Sequence, residues 1–564
     1  MPTLHFKGKT FVQNHHLAVK YHQLVAKKKL SLTDNISLHD NLIIQGDNLK
    51  ALKSLLPTYS SRIKCIYIDP PYNTGEEGWI YNDNVNSPML KEWLGKVVDK
   101  EDLTRHDKWL CMMMPRVKLL RELLSESGVI FISCDDNELY HLRNLLDEVF
   151  SESNWIGTII WRNVTDNNPT NIAIEHEYVI CYAKNKTALE PVWKSKVTDA
   201  KEQLIKIGKE LNKKFKGQEE LQNEYTKWFR ENKLFLGQLD RYKYIDKGGV
   251  YTGSQSVHNP GREGYRYDVI HPITKKPCKE PLMGYRFPET TMKELLEDGK
   301  ILFGDDETKI IELKVYAEEY EDKLASVIQL DGRLGSYDLK EIFPENKKTF
   351  DNPKPVQLVK QLFSYLTSGD DIILDSFAGS GTTAHATLEL NNEDGGMRKF
   401  ILVEQEDYAD SITAERVRRV IKGVKTAKSE SIKKGTGGTF SYFELGPTIE
   451  MESILQGKNL PSYEEFARYI FYTATGEEFN EKKINEKTGF IGETKNYELY
   501  MFYKPDVEWL KRNALTLDGV KAMPKFKGKQ RLVFAPAKYV DDYTCMENRI
   551  DFCQLPYEIY KIQK

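Results

Sequence analysis

At 564 residues the chain is too long for a single hydrophobic core, so about two to four domains are expected. Its 40% hydrophobic and 29% charged residues describe an ordinary globular protein, and a formal net charge of −3 excludes overall basicity as a nucleic-acid signal, leaving local basic surface to make any such contact. The seven cysteines form no CxxC pair and read as reduced, small buried residues, while the lack of a signal-peptide core or a long apolar run points to a cytoplasmic protein with no membrane contact.

Residues 1–40 are polar, with little periodicity, and form an N-terminal arm. His15, His16 and His22 lack an accompanying cysteine or carboxylate cluster, so they read as surface or packing histidines rather than metal ligands. Leu42 to Gln45 is a short strand, followed by Gly46-Asp47-Asn48 and an amphipathic run from Leu49 to Leu56. Asp47 suits a helix cap and equally suits a hydrogen bond to a bound cofactor, since it lies where a strand meets a helix.

The apolar run Cys65 to Ile68 then stops at Asp69-Pro70-Pro71-Tyr72. Neither proline donates an N–H and both fix φ, so a buried strand ends here, with a carboxylate, main-chain carbonyls and an aromatic ring at the sheet rim. Those parts suit methylation of an exocyclic amine. The Asp69 carboxylate and the Pro70 carbonyl can accept both amino hydrogens of a base and draw its nitrogen toward a tetrahedral shape. Tyr72 can stack on the base once it is rotated out of a duplex. The plainer reading is a strand ended by a Pro-Pro turn.

Asn73 to Trp93 is irregular, with Gly75 and Gly78, and suits a loop over a site. Trp109 to Leu124 has helical spacing, Gly128 to Ser133 is a strand ending at Asp135-Asp136, and Glu138 to Phe150 is amphipathic. Strand, acidic turn, helix and strand again is the rhythm of a parallel sheet. Ile156 to Trp161 and Glu177 to Tyr182 are further strands. His176-Glu177 is not HExxH, because no second histidine follows at the required spacing.

From about 187 to 345 that rhythm disappears, which marks an inserted domain. Ala200 to Lys214 and Gln218 to Asn232 are charged helices, and the stretch from Arg241 to Tyr267 interleaves aromatics with Arg and Lys. It suits either base and phosphate contact or a solvated, turn-rich surface. The alternation returns at Asp371 to Asp375, then Ser376, Phe377, Ala378, Gly379, Ser380, Gly381, Thr382 and Thr383 open a helix. The glycines permit a tight turn and close backbone approach to a ligand, and the helix start offers free N–H groups. The next strand ends at Glu404, an acid placed to grip two ribose hydroxyls. The combination implies a nucleoside-containing cofactor and would also fit NAD.

Asp69-Pro70-Pro71-Tyr72 followed far downstream by Phe377 to Thr383 resembles the amino-methyltransferases of DNA. With the catalytic motif first and the cofactor loop last, the order is similar to their β group, whose target-recognition domain lies between the two. The resemblance implies a doubly wound, Rossmann-like α/β domain that uses S-adenosyl-L-methionine, with an inserted α+β target-recognition domain and a small C-terminal α/β domain. The expected boundaries are 1–40, 41–186, 187–345, 346–445 and 446–564. It assigns Asp69, Pro70, Pro71 and Tyr72 to the base pocket. Asp375 and Phe377, Ala378, Gly379, Ser380, Gly381, Thr382 and Thr383 would hold the cofactor's methionine part, Glu404 its ribose, and Asp47 would sit near its adenine. Lys354 and Pro355, in Asn352-Pro353-Lys354-Pro355, would complete the wall around the methionine.

Asp in place of Ser before Pro-Pro-Tyr is similar to the N6-adenine members. The His15-His16 segment, Trp161-Arg162-Asn163, His176-Glu177-Tyr178, Gly284 to Phe287 and Gly437 to Phe440 resemble the modification subunits of type III restriction systems. That implies double-stranded DNA as substrate, a homodimer, and a separate restriction (helicase–nuclease) subunit as partner. Cytosine N4 methylation, an orphan or type II enzyme, and a non-catalytic DNA-specificity subunit are the alternatives. No P-loop is present in the sequence, and residues 446–564 carry no catalytic signal, which leaves dimer, partner or DNA-backbone contact.

Overall fold

The computed structural model describes residues 4–74, 104–164, 171–193, 199–259, 261–320, 323–346, 348–449, 460–477, 479–524 and 528–555. The loop expected over the site therefore lies, from residue 75 onward, outside the described residues. Contacts divide the chain into two compact units, one of residues 192–324 and one of the remainder. Among the described residues no helix is long and apolar enough to cross a membrane, and all seven cysteines are free.

The larger unit is built on one mixed sheet. Its N-terminal part supplies β1 (His22–Ala26), β2 (Leu42–Gln45), α1 (Asn48–Tyr59), β3 (Ile63–Ile68), α2 (Arg105–Leu123), β4 (Leu124–Cys134), α3 (Leu139–Phe150), β5 (Trp155–Arg162) and β6 (His176–Ala183). The smaller unit carries α4 (Asp199–Lys214), α5 (Gln218–Leu236), β7 (Tyr244–Asp246), β8 (Gly249–Ser254), α6 (Glu289–Glu297), β9 (Ile301–Leu302) and β10 (Glu312–Tyr316). The chain then returns with β11 (Val327–Gln329), α7 (Leu334–Ile342), α8 (Val356–Ser364), β12 (Ile372–Asp375), α9 (Thr382–Asp394), β13 (Lys399–Glu404), α10 (Glu415–Lys422) and β14 (Ser441–Thr448).

The sheet order is β1-β14-β2-β13-β12-β3-β4-β6-β5-β11. Its middle, from β14 to β4, is parallel, which demands helical crossovers and burial of both faces. Successive side chains of each strand alternate accordingly. Ile66, Ile68, Ile130 and Ile132 pack with α1, α2 and α3 through Leu52, Leu56, Trp109, Met113 and Leu146. Ile43, Phe400, Leu402 and Tyr442 face the other way, against Leu339 of α7, Leu388 of α9 and Val417 and Val420 of α10.

Two features differ from the sequence expectation. The arm is not irregular throughout: His22–Ala26 pairs antiparallel with β14, and the His22 Nδ1 meets the Gly446 carbonyl oxygen at 2.8 Å. The strand is five residues long, half-buried at His22, Gln23 and Leu24 and exposed at Val25 and Ala26, so no periodicity announced it. The insertion ends at Leu324 rather than at 345. Beyond it β11 adds a parallel strand beside β5, and α7 buries Leu339 and Ile342 against the main sheet.

In the smaller unit α4 and α5 bury Leu204, Leu211, Leu221 and Tyr225 with Tyr242 and Ile245, beside a sheet of order β7-β8-β10-β9. Much of the Arg- and Tyr-rich stretch is packing rather than free surface. Tyr242 and Tyr285 are buried, Tyr267 stacks on Tyr285, and Arg266 pairs with Glu280 at 2.7 Å. Tyr244 and Tyr265 remain about half exposed.

The C-terminal residues belong to the larger unit and add a second sheet. Helix α11 (Tyr463–Thr475) packs on strands β15 (Phe490–Glu493), β16 (Tyr497–Met501), β17 (Gln530–Ala535) and β18 (Ile550–Gln554), which lie in that order. The α11 residue Tyr469 meets Tyr21 edge-on, with ring centroids 5.1 Å apart, which ties this part to the N-terminal segment.

Candidate active site

Strands β12 and β3 are parallel neighbours, with Ile373 beside Cys65 and Leu374 beside Ile66. From β12 the chain proceeds to β13 on one side; from β3 it proceeds to β4 on the other. This boundary is the topological switch point, and its crevice opens at the carboxyl ends of the strands. Asp69 to Tyr72 leaves β3 there, and Ser376 to Gly381 leaves β12 there. Neighbouring strands lie about 4.8 Å apart, so the two motifs, some 300 residues apart in sequence, are brought to one crevice.

On the β3 side the motif is held by charge. The Lys354 ammonium sits 3.0 Å from Asp69 Oδ2 and 3.3 Å from Glu177 Oε2. It also lies over the rings of Tyr72 and Trp161, at 4.9 and 5.8 Å from their centroids. Burial alone would lower the Lys354 ammonium, but the Asp69 and Glu177 carboxylates outweigh it and hold the group above its ordinary value. Tyr72 donates its hydroxyl to Glu177 Oε2 at 2.8 Å, and burial, reinforced by those carboxylates, keeps the phenol protonated. Asn163 donates to the other Glu177 oxygen at 2.6 Å, and the Trp109 indole donates to the Pro71 carbonyl at 2.7 Å. One oxygen is left over: among the described residues, Asp69 Oδ1 is buried and has no hydrogen-bond partner.

On the β12 side the loop is held by buried polar tethers. Asp375 accepts from Thr383 Oγ1 at 2.6 Å and from the Phe377 N–H at 3.0 Å. Burial pushes its carboxyl up to about 7. Gly379 and Gly381 have φ of 51° and 81°, the left-handed region that favours glycine. A Cβ on Gly381 would stand 3.1 Å from the Thr413 carbonyl oxygen. Buried Arg416 donates to Ser380 Oγ and Thr382 Oγ1, each at 2.9 Å. Asn48 of α1 donates to the Ser376 carbonyl at 3.0 Å, and Thr382 Oγ1 donates to the Lys354 carbonyl at 3.2 Å. Lys354 thus joins both sides, its main chain against the glycine loop and its ammonium against Asp69.

The sequence suggested free N–H groups for a ligand in this loop; the structure spends four of them internally. Phe377 donates to Asp375, Ala378 to the Val403 carbonyl, Gly379 to Glu404 Oε2 and Gly381 to the Ala378 carbonyl. Glu404 also accepts from the Glu406 N–H at 3.0 Å, and burial raises its carboxyl above the usual range. Asp47 caps α1 by accepting from the Lys50 N–H at 3.0 Å, while the neighbouring Gly46 N–H reaches the Glu404 carbonyl at 2.9 Å. Asp47 and Glu404 therefore stand at the ends of adjacent strands, with Asp47 already engaged as a cap.

Sequence reasoning gave no role to Glu177, Trp161, Asn163 or Arg416. Trp161 comes from β5, Asn163 directly follows that strand and Glu177 comes from the antiparallel strand β6, and nothing local in sequence ties them to the tyrosine 105 residues upstream of Glu177. Arg416 looks like one of several surface arginines on α10 and is fully buried.

A family model described as DNA methylase matches residues 63–415, more than half of the chain. Over 378 residues the chain is 53% identical to the Mod subunit of the type III restriction-modification enzyme EcoP15I of Escherichia coli, covering 65% of this chain and 58% of that one. It is 32% identical over 426 residues to the StyLTI Mod subunit of Salmonella typhimurium, covering 69% and 58%. It is 30% identical over 460 residues to the EcoPI Mod subunit of Escherichia phage P1, covering 74% and 67%. The chain thus spans 58% of the length of the first two. With the paired motifs at one switch-point crevice and the family match running across both, the chain belongs to the N6/N4 DNA methylase family.

Proposed function

We propose that the chain transfers a methyl group from S-adenosyl-L-methionine to the N6 amino group of adenine in a short duplex sequence, with the base rotated out of the helix. The observation that carries this reading is the division of labour at Asp69. Lys354 takes Oδ2 and fixes the carboxylate, while the buried Oδ1, unpartnered among the described residues, is open to a further donor. An exocyclic amine supplies that donor, with the Pro70 carbonyl as acceptor for the second hydrogen. Tyr72, pinned through Glu177, presents its ring for stacking.

The crevice suits the donor as well. With four loop amides already paired, a pyrophosphate finds little to grip, which weighs against a dinucleotide. Asp69, Asp375 and Glu404 instead make the crevice acidic enough to act on one another, which suits a cationic ligand. The residues present therefore fit S-adenosyl-L-methionine: Asp375, Phe377 to Thr383 and Pro355 around its amino-acid part, Glu404 at the ribose, and Asp47 near the adenine. When bound, that cofactor supplies an already electrophilic methyl carbon. The chain's own work is to hold the amine in line and to accept its hydrogens as the nitrogen becomes tetrahedral and then gives up a proton. Asp69 does this by holding the amine, with no need to act as a formal base.

Within this proposal residues 192–324 read the DNA sequence. The chain works in the cytoplasm as a homodimer and as the modification and specificity subunit of a type III system, alongside a separate helicase–nuclease subunit. The Mod subunits it resembles support that assignment. The test is transfer of tritium from labelled S-adenosyl-L-methionine to duplex DNA, with the product digested to nucleosides and identified by mass. N6-methyl-2′-deoxyadenosine is expected; N4-methyl-2′-deoxycytidine would reassign the target base, and no transfer would favour a non-catalytic specificity subunit.

A further inference from the structure

The residue directly after the Asp-Pro-Pro-Tyr motif, Asn73, is completely buried and has φ of 60°. Asparagine is among the few non-glycine residues that adopt this left-handed conformation readily, so the turn here is compatible with the side chain it carries. Its side-chain amide donates to Oε1 of Glu138, in the turn between β4 and α3. Glu138 is itself completely buried. Its other partners are two imidazoles: His106 Nδ1 stands 2.7 Å from Oε1, and His141 Nδ1 stands 3.0 Å from Oε2. The two rings lie 4.6 Å apart. The nearby Glu138 carboxylate, against the opposing effect of burial, raises the His141 imidazole above its ordinary value.

A carboxylate this deeply buried is costly unless it is both hydrogen-bonded and charge-compensated. Among the described residues the ion-pair partners of Glu138 are these two histidines. His106 opens α2 and His141 lies in the first turn of α3. The catalytic motif is therefore strapped from behind at two points: Trp109 of α2 holds the Pro71 carbonyl, and Glu138 holds Asn73. Two histidines and a glutamate are also a donor set that a transition ion accepts. His106 Nδ1, however, is hydrogen-bonded to Glu138 Oε1, the same oxygen that takes the Asn73 amide, while His141 Nδ1 stands 3.0 Å from Oε2 as an ion-pair neighbour outside hydrogen-bond geometry.

We propose that Glu138, flanked by His106 and His141, is a positioning residue for the methyl transfer: by fixing the Asn73 amide it sets the pitch of the Asp69–Tyr72 turn against the crevice. This rests on the methyltransferase reading above. Three variants of the full chain test it. Glu138→Gln keeps an acceptor for Asn73, Glu138→Leu removes it, and Asn73→Gly keeps the left-handed backbone without strain while cutting the tether. Expected are near-normal turnover for Glu138→Gln and a kcat reduced roughly 10- to 100-fold for Asn73→Gly and Glu138→Leu. The thermal midpoint of Asn73→Gly should fall by a few degrees, as a cut buried hydrogen bond requires, while its cofactor affinity stays at the wild-type value. Hydrogen exchange of the peptide spanning residues 63–74 should be slow in wild type and Glu138→Gln and fast in Asn73→Gly.

A wild-type kcat in Asn73→Gly overturns the proposal, as does unchanged exchange in that variant. Stoichiometric metal in the purified protein, with activity lost to a chelator and restored by zinc, also overturns it in favour of a metal site. A wild-type chain that methylates no DNA yet shows this exchange pattern sinks the functional reading while leaving the bracket in place.

Discussion

The two walls of the crevice are built by opposite means. The β12 wall is glycine and backbone, locked by tethers that reach the loop from inside the fold: Asp375 to Thr383 and Phe377, Glu404 to Gly379, and Arg416 to Ser380 and Thr382. The β3 wall is side chains and charge, with Lys354, Asp69, Glu177 and Tyr72 in one partly exposed cluster. A ligand bound by close backbone approach needs a fixed shape, which buried hydrogen bonds supply. A base that must enter, react and leave needs acceptors free to exchange partners, which a cluster at the rim supplies.

That contrast predicts separable failures. The largest effect is expected at Asp69→Ala, which removes the acceptor for the amine. Methyl transfer should fall by roughly 100- to 1000-fold or more while cofactor affinity stays near wild type. Normal turnover in labelled-methyl assays would remove Asp69 from the reaction. On the other wall Arg416→Met should leave Ser380 and Thr382 without their buried donor. A loss of about 1–3 kcal/mol is expected in chemical denaturation, together with weaker cofactor binding by calorimetry. If cofactor affinity were untouched, the Arg416 tethers would hold the fold and not the loop.

A finer division concerns Tyr72. Tyr72→Ala should weaken capture of the rotated base, seen as a raised KM for DNA, whereas Tyr72→Phe keeps the ring and loses the bond to Glu177. A Phe variant as crippled as the Ala variant would shift the role from ring to hydroxyl. A last effect is a pH slope. Burial holds the Asp375 carboxyl up at about 7, so between its unfolded value near 3.9 and about 7 the folded state binds a proton that the unfolded state has released. Stability contributed by this group is present at low pH and declines as pH rises through that window. Asp375→Asn should flatten that decline relative to wild type in urea titrations at stepped pH; identical slopes would mean that the carboxyl ionises at its ordinary value.

Sequence alone determined the parts that depend on local covalent chemistry. Two prolines after an apolar β-branched run must end a strand at the rim, glycines after a second strand must turn tightly into a helix, and an amphipathic repeat must bury one face. The strands around Asp69, Gly379 and Glu404 were legible for that reason, as was the break that marks the insertion. Only the tertiary structure decided which distant side chains meet there. Lys354 reaches Asp69, Glu177 reaches Tyr72, Arg416 turns inward and Glu138 closes on Asn73 because the parallel order of β13, β12, β3 and β4, with β6 beside them, sets these chain ends side by side. Pairings across hundreds of residues leave no periodic trace, since their geometry is fixed by sheet register and burial rather than by neighbours in the chain.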